Sequence, residues 1–119
     1  MERLYRDYGK KVDFRIVYIR EAHPTDGRRM RSNDEAGIAV KDPKTDAERK
    51  EVAKTCVDKL KITIPALIDG IDNAVEKAYA GWPTRMYVIG KDGKILYQGP
   101  HGAGGTRPRQ AEEVLKKLE

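Results

Sequence analysis

The chain has 119 residues, with 24 Lys and Arg against 19 Asp and Glu, a net charge of +5 and a single cysteine. That length supports one domain with a modest core, and the interleaved charge points to a solvated surface more than to a nucleic-acid or lipid footprint. One thiol excludes an intramolecular disulfide and a cysteine-built zinc site.

In chain order, "MERLYRDYGKK" spaces Leu4 and Tyr8 at i, i+4 ahead of Gly9 and reads as an amphipathic helix with a glycine at its end. It has no apolar h-region of a signal peptide. "DFRIVYI", Asp13 to Ile19, is a near-continuous β-rich run, expected as a strand buried on both faces in a parallel sheet. The next two dozen residues, Glu21 to Lys44, lack periodicity and exceed ordinary loop length.

A helix follows over "TDAERKEVAKTCVDKL". Thr45 and Glu48 stand at capping-box spacing, and Val52, Cys56 and Leu60 form the expected inner face beside Ala53 and Val57. Ala66 to Asp69 reads as a short strand, and "DNAVEKAYAG" as a short helix begun by Asp72 or Asn73. "TRMYVIGKDGKILYQG" is a β-hairpin about an Asp-Gly turn. "RPRQAEEVLKKLE" closes the chain as a helix with Val114, Leu115 and Leu118 inward. The order α-β-loop-α-β-α-β-β-α gives an α/β fold with a mixed sheet flanked by helices.

Several groups bear on chemistry. Glu21 and His23 follow the end of a parallel-type strand, the place where open α/β sheets bind ligands. A His beside a carboxylate can move protons near neutral pH; the structural alternative is a strand-end His satisfied by backbone. Cys56, among apolar neighbours on its helix, reads as an inert buried thiol, the other reading being a resolving cysteine with a lowered pKa. Arg28, Arg29 and Arg31 in "GRRMR" suit an anion, although such runs are more often solvated loop. A nucleic-acid role would rest on those three arginines alone and is not expected. "HGAGG", with His101, lacks the lysine of a phosphate loop, so nucleotide binding is not expected either. No cofactor is expected. No apolar run approaches the roughly 20 residues of a membrane helix, and a cytoplasmic location is the default expectation.

The C-terminal half, "GWPTRMYVIGKDGKILYQG", resembles the thioredoxin-like superfamily, in which the proline before the penultimate strand is cis and lies beside the redox cysteine. Pro83 is the matching position, and an X-Pro at a strand entrance is a place where a cis bond is retained. More specifically, "DFRIVYIREAHPTDG" and "ILYQGPHGAGG" are similar to the strand-plus-EAH segment and the glycine-rich tail of the iodothyronine deiodinases and their bacterial relatives. Arg28 stands where that family has Trp, and no further His occurs between His23 and the "DAER" helix.

The resemblance implies a thiol- or selenol-dependent oxidoreductase reset by a thiol reductant. Glu21 and His23 would handle protons, and Pro83, His101 and Arg28 would face substrate. It also implies that residues 1–119 form a single incomplete thioredoxin-like domain. The family's first strand and its nucleophile lie before the helix with which this sequence opens. In the family that strand is central, between "FRIVYI" and "TRMYVI", and its loss would leave two strand edges unpaired. Direct pairing of those strands, or strand exchange in a homodimer, would satisfy them. The expectation is a deiodinase-like redox protein that is inactive by itself; the alternative is a non-catalytic binding or dimeric assembly module on the same scaffold.

Overall fold

A computed structural model describes residues 1–21 and 43–118. Helix α1 spans Glu2–Tyr8, strand β1 Ile16–Tyr18, helix α2 Asp46–Leu60, strand β2 Ala66–Ile68 and helix α3 Ala74–Tyr79. The hairpin β3 Tyr87–Ile89 and β4 Ile95–Gln98 and the helix α4 Pro108–Lys117 complete the described elements. The architecture is the expected mixed α/β one, compatible with a truncated thioredoxin-like domain.

Local rules account for most element ends. Thr45 Oγ1 accepts from Glu48 N–H at 3.1 Å, capping α2 as its spacing predicts. The reciprocal half of the capping box is displaced by one residue, since Glu48 Oε2 accepts from Lys44 N–H at 2.7 Å. Gly93 supplies φ +81° in the hairpin turn, a value that glycine adopts without strain. At α3, Asp72 Oδ1 accepts from Ala74 N–H at 3.2 Å, while Asn73 makes no side-chain cap. The stronger cap comes from Asp69, whose two carboxylate oxygens accept from Val75 N–H at 3.0 Å and Glu76 N–H at 2.9 Å. Asp69 is 3 % exposed, and these charge-assisted bonds compensate its burial.

Long-range pairing departs from a single sheet. β1 pairs with β2 in parallel, Val17 opposite Leu67, and β3 pairs with β4 antiparallel with an irregularity at Val88/Ile89. These are two separate two-stranded sheets, so direct pairing of β1 with β3 does not occur. β1 is also shorter than the apolar run that encodes it, and it is not buried on both faces: Val17 is 37 % exposed. The cause is the cleft that separates it from β3.

Two cavities of about 350 and 360 Å³ occupy that cleft. Arg15, Tyr79, Arg85, Met86 and Tyr87 border both of them. The buried apolar core among the described residues is correspondingly small, consisting of Leu4, Ala53, Cys56, Ile64, Ala111 and Leu115. On α2 the buried stripe is Arg49, Ala53 and Cys56 rather than Val52, Cys56 and Leu60, and Leu60 is exposed. The helix is rotated because the Arg49 guanidinium reaches the Gly70 carbonyl at 2.5 Å, tying its first turns to the end of β2. On α4, Ala111 and Leu115 face inward, whereas Leu118 lies past the packed surface and is exposed.

α1 is held at both ends. Arg3 forms a fork on Glu112 of α4, with the shorter arm at 2.8 Å, and Glu2 accepts from Thr63 N–H at 3.0 Å and from the Thr63 hydroxyl. Tyr5 packs on Phe14 with ring centroids 5.4 Å apart, so α1 covers the approach to β1.

Candidate functional site

The C-terminal end of β1 gathers the groups closest to the predicted chemistry. Tyr18, the last residue of the strand, donates its phenolic O–H to Glu21 Oε2 three residues on. β1 delivers both groups: Tyr18 is fixed by the ladder to Ile68, and Asp69 N–H closes on the Tyr18 carbonyl at 2.9 Å. The Cys56 thiol, on the inner face of α2, interacts electrostatically with Tyr18 and Glu21. A phenol, a carboxylate and a thiol therefore meet where β1 ends.

Their electrostatics follow from position. Burial raises the Tyr18 pKa far above the ordinary tyrosine value, and its hydrogen bond to Glu21 and the carboxylate's charge add to the shift. Burial also raises the Cys56 thiol; the Glu21 charge adds to this, while the interaction with Tyr18 opposes it. A protonated thiol in this setting is a poor nucleophile. Cys56 is buried on the inner face of α2, and its thiol is shifted upward.

The second wall comes from the segment before β3. The Trp82–Pro83 peptide is cis, as expected from its place at a strand entrance. Pro83 borders the same cavity as Ile16, Val17 and Ile19 of the β1 segment. Arg20 ties the two walls together: its guanidinium lies 4.5 Å from the Trp82 ring centroid and its Nε 3.3 Å from Glu76 Oε1. This cation–π contact places the β1 terminus against the proline turn.

The glycine-rich loop after β4 docks beside Pro83. Gly105 N–H donates to Gly102, the Gly105 carbonyl accepts from Met86 N–H at 3.0 Å, and the hydroxyls of Thr84 and Thr106 are hydrogen-bonded. The backbones approach too closely for a side chain, since a Cβ on Gly105 would lie 2.1 Å from the Thr84 carbonyl oxygen. His101 rides on this loop but is exposed and borders neither cavity. The structure therefore holds Glu21 against Tyr18 at the end of β1, places Pro83 on the cavity wall, and leaves Glu21 and His101 outside the lining of both cavities. His23 and Arg28 lie outside the described residues.

Sequence reasoning missed the roles of Tyr18 and Arg49, and it assigned Trp82 only to covering the core. Tyr18 sits three residues before Glu21, yet nothing in a β-rich run marks which tyrosine will reach back to a carboxylate. Arg49 is 2 % exposed with its Nε unpartnered, and Trp82 Nε1 is likewise buried and unpaired among the described residues. The apolar periodicity of α2 concealed Arg49, because charged residues are normally assigned to the outer face. Among the described residues no cluster of His, Cys, Asp or Glu is arranged to hold a metal ion, and no helix is long and apolar enough to cross a membrane.

A parallel β1–β2 pair, a cis-proline turn and a terminal hairpin and helix define a mixed α/β protein, compatible with a thioredoxin-like fold, with a carboxylate near the end of β1. The profile of the iodothyronine deiodinase family matches residues 1–119, and the chain belongs to that family. It is 30 % identical over 115 residues to the type I iodothyronine deiodinase of Xenopus laevis, covering 97 % of this chain and 43 % of the relative. It is 33 % identical over 105 residues to the thyroxine 5-deiodinase of Gallus gallus, covering 88 % and 39 %. Against the thyroxine 5-deiodinase of Sparus aurata the identity is 28 % over 116 residues, covering 98 % and 42 %. The chain spans about two-fifths of the length of these relatives.

Proposed function

We propose that residues 1–119 are the proton-handling and substrate-shaping part of a thiol- or selenol-dependent reductive dehalogenase of deiodinase type, with no turnover by themselves. The observation that carries this reading is the Glu21 carboxylate, held by the Tyr18 phenol at the end of β1 with Pro83 bordering the same strand. Replacing an aryl C–I bond by C–H takes two electrons and one proton. A thiolate or selenolate supplies the electron pair and takes the iodine, the ring carbon takes the proton, and a thiol reductant resets the nucleophile as iodide leaves. Glu21 and His23 serve the proton. Pro83 shapes the wall against which the ring lies, and Arg28 and His101 face the substrate's polar end.

Cys56 does not serve as the nucleophile, being buried, raised in pKa and the only cysteine of the chain. The nucleophile therefore comes from polypeptide outside residues 1–119. The test is iodide release from an iodinated phenol by the purified chain with excess dithiothreitol. No release above the reductant blank is expected, from the chain or from Cys56→Ser. Turnover that Cys56→Ser abolishes would overturn both the inactivity and the structural reading of Cys56.

A further inference from the structure

Arg85 stands where three segments meet. Its Nε donates to the Gly99 carbonyl at 2.8 Å, and its Nη1 is shared between the Tyr79 and Ala80 carbonyls at 3.4 Å each. Among the described residues its hydrogen-bond acceptors are therefore backbone atoms, from the end of α3 and from just past β4. A cation suits the carbonyls that a helix leaves unsatisfied at its C-terminus. The guanidinium also lies 5.6 Å from the Tyr87 ring centroid, and the Tyr87 hydroxyl donates to the same Tyr79 carbonyl at 2.5 Å. Arg85 is half-buried, so water competes less for these acceptors than it would on an open surface.

What the side chain encloses gives it a role. Residues 81–84, the turn with Trp82 and Pro83, run from the Ala80 carbonyl that Arg85 holds to Arg85 itself. One side chain thus closes both ends of that turn. It also fastens the loop after β4. Gly99 N–H donates to the Met86 carbonyl at 2.8 Å, and Met86 N–H donates to the Gly105 carbonyl at 3.0 Å. The two ends of the loop touch, since a Cβ on Gly99 would lie 2.1 Å from the Gly105 carbonyl oxygen. Gly99 and Gly105 form a neck with His101 beyond it, and residues 85 and 86 are the post to which the neck is tied.

We propose that Arg85 is the positioning residue of the substrate wall: its guanidinium fork fixes the turn of Pro83 and the loop of His101 relative to each other. Nε and Nη1 point to different sides of one rigid plane and reach two segments at once. A lysine ammonium, a single donor atom on a flexible stem, does not reproduce that span. The proposal rests on the proposed reading that Pro83 and His101 meet substrate. Its test needs neither substrate nor turnover, so a failure here leaves the Glu21–His23 chemistry standing. Iodide release by the chain would in turn leave this clamp standing.

Amide hydrogen exchange and Trp82 emission are measured on the 119-residue chain, on Arg85→Lys and on Arg85→Ala, the last also with ethylguanidinium or ethylammonium added. Ethylguanidinium replaces the atoms that alanine lacks; ethylammonium supplies the charge without the fork. Gly81, Met86 and Gly105 amides are expected to exchange about tenfold faster in both variants, the scale of one lost hydrogen bond, with α2 amides unchanged. Trp82, the only tryptophan, should emit at longer wavelength as its turn loosens. Ethylguanidinium should restore both signals in Arg85→Ala, and ethylammonium neither. Parent-like behaviour of Arg85→Lys would overturn the proposal, because charge alone would then suffice. Equal acceleration of the α2 amides would overturn it too, by showing a role in overall stability only. In a folded Arg85→Ala, no restoration by ethylguanidinium would do the same, and Arg85→Lys carries the decision if Arg85→Ala does not fold.

Discussion

Tyr18→Phe isolates the hydrogen bond on which the site is built, since it removes one hydroxyl and leaves the ring in place. A hydrogen bond to a charged acceptor contributes about 1.5–3 kcal/mol when dry. Tyr18 and Glu21 are both only part-buried, so water replaces some of it and a loss of about 1–1.5 kcal/mol is expected at pH 7. The pH dependence provides the sharper check. The folded-state Tyr18 pKa is raised by burial and then by Glu21, while the unfolded chain titrates near its ordinary value of 10.0. A raised pKa gives stability that is complete below pH 10 and declines as pH rises beyond it, because only the unfolded state then releases the proton. One such proton removes about 0.4 kcal/mol by pH 10 and about 1.4 kcal/mol by pH 11. The deficit of Tyr18→Phe against the parent should therefore shrink across pH 7 to 11 and approach zero at the upper end. Urea unfolding followed by circular dichroism at half-unit steps measures it. A deficit that stays constant over this range would refute the placement of Tyr18.

Two further outcomes test the scaffold around the site. Glu2 has its pKa lowered by its hydrogen bonds to Thr63, so its contribution is present above the ordinary 4.5 and is lost as pH falls through the depressed folded value. Glu2→Gln should flatten this acid limb in urea midpoints taken from pH 6 to 3, and an unchanged limb would sever α1 from Thr63. Asp69→Ala removes both acceptors from the start of α3 and should destabilise the fold by about 1–2 kcal/mol, the range of a lost cap. Val75 and Glu76 amides should lose exchange protection in this variant, whereas protection unchanged at both would show that the cap is dispensable.

Much of the architecture was legible because it is encoded over short distances. The Thr45 cap, the Asp92–Gly93 turn, the Gly9 stop and the cis bond before Pro83 each depend on neighbours within a few residues, and each is present. Glu21 could be proposed from its place after a β-rich run and from the EAH resemblance. His101 had only a motif behind it, and the loop that carries it docks while its own side chain stays on the rim. Tyr18 and Arg49 were not legible, because their roles depend on partners from other elements.

The amino-acid sequence alone determined the element order, most of the helix and turn ends, the family and the absence of any thiol pair. Only the tertiary structure decided that β1 and β3 do not meet, that α2 buries Arg49 rather than Leu60, and that Cys56 lies against Tyr18 with its pKa raised. The physical reason is the range of the forces involved. Caps, turns and periodicity act through local hydrogen bonds and backbone geometry, which a run of residues specifies by itself. Which edges pair, and which side chain loses its water, depends on segments distant in sequence being brought together. The gap between the two sheets is one such feature.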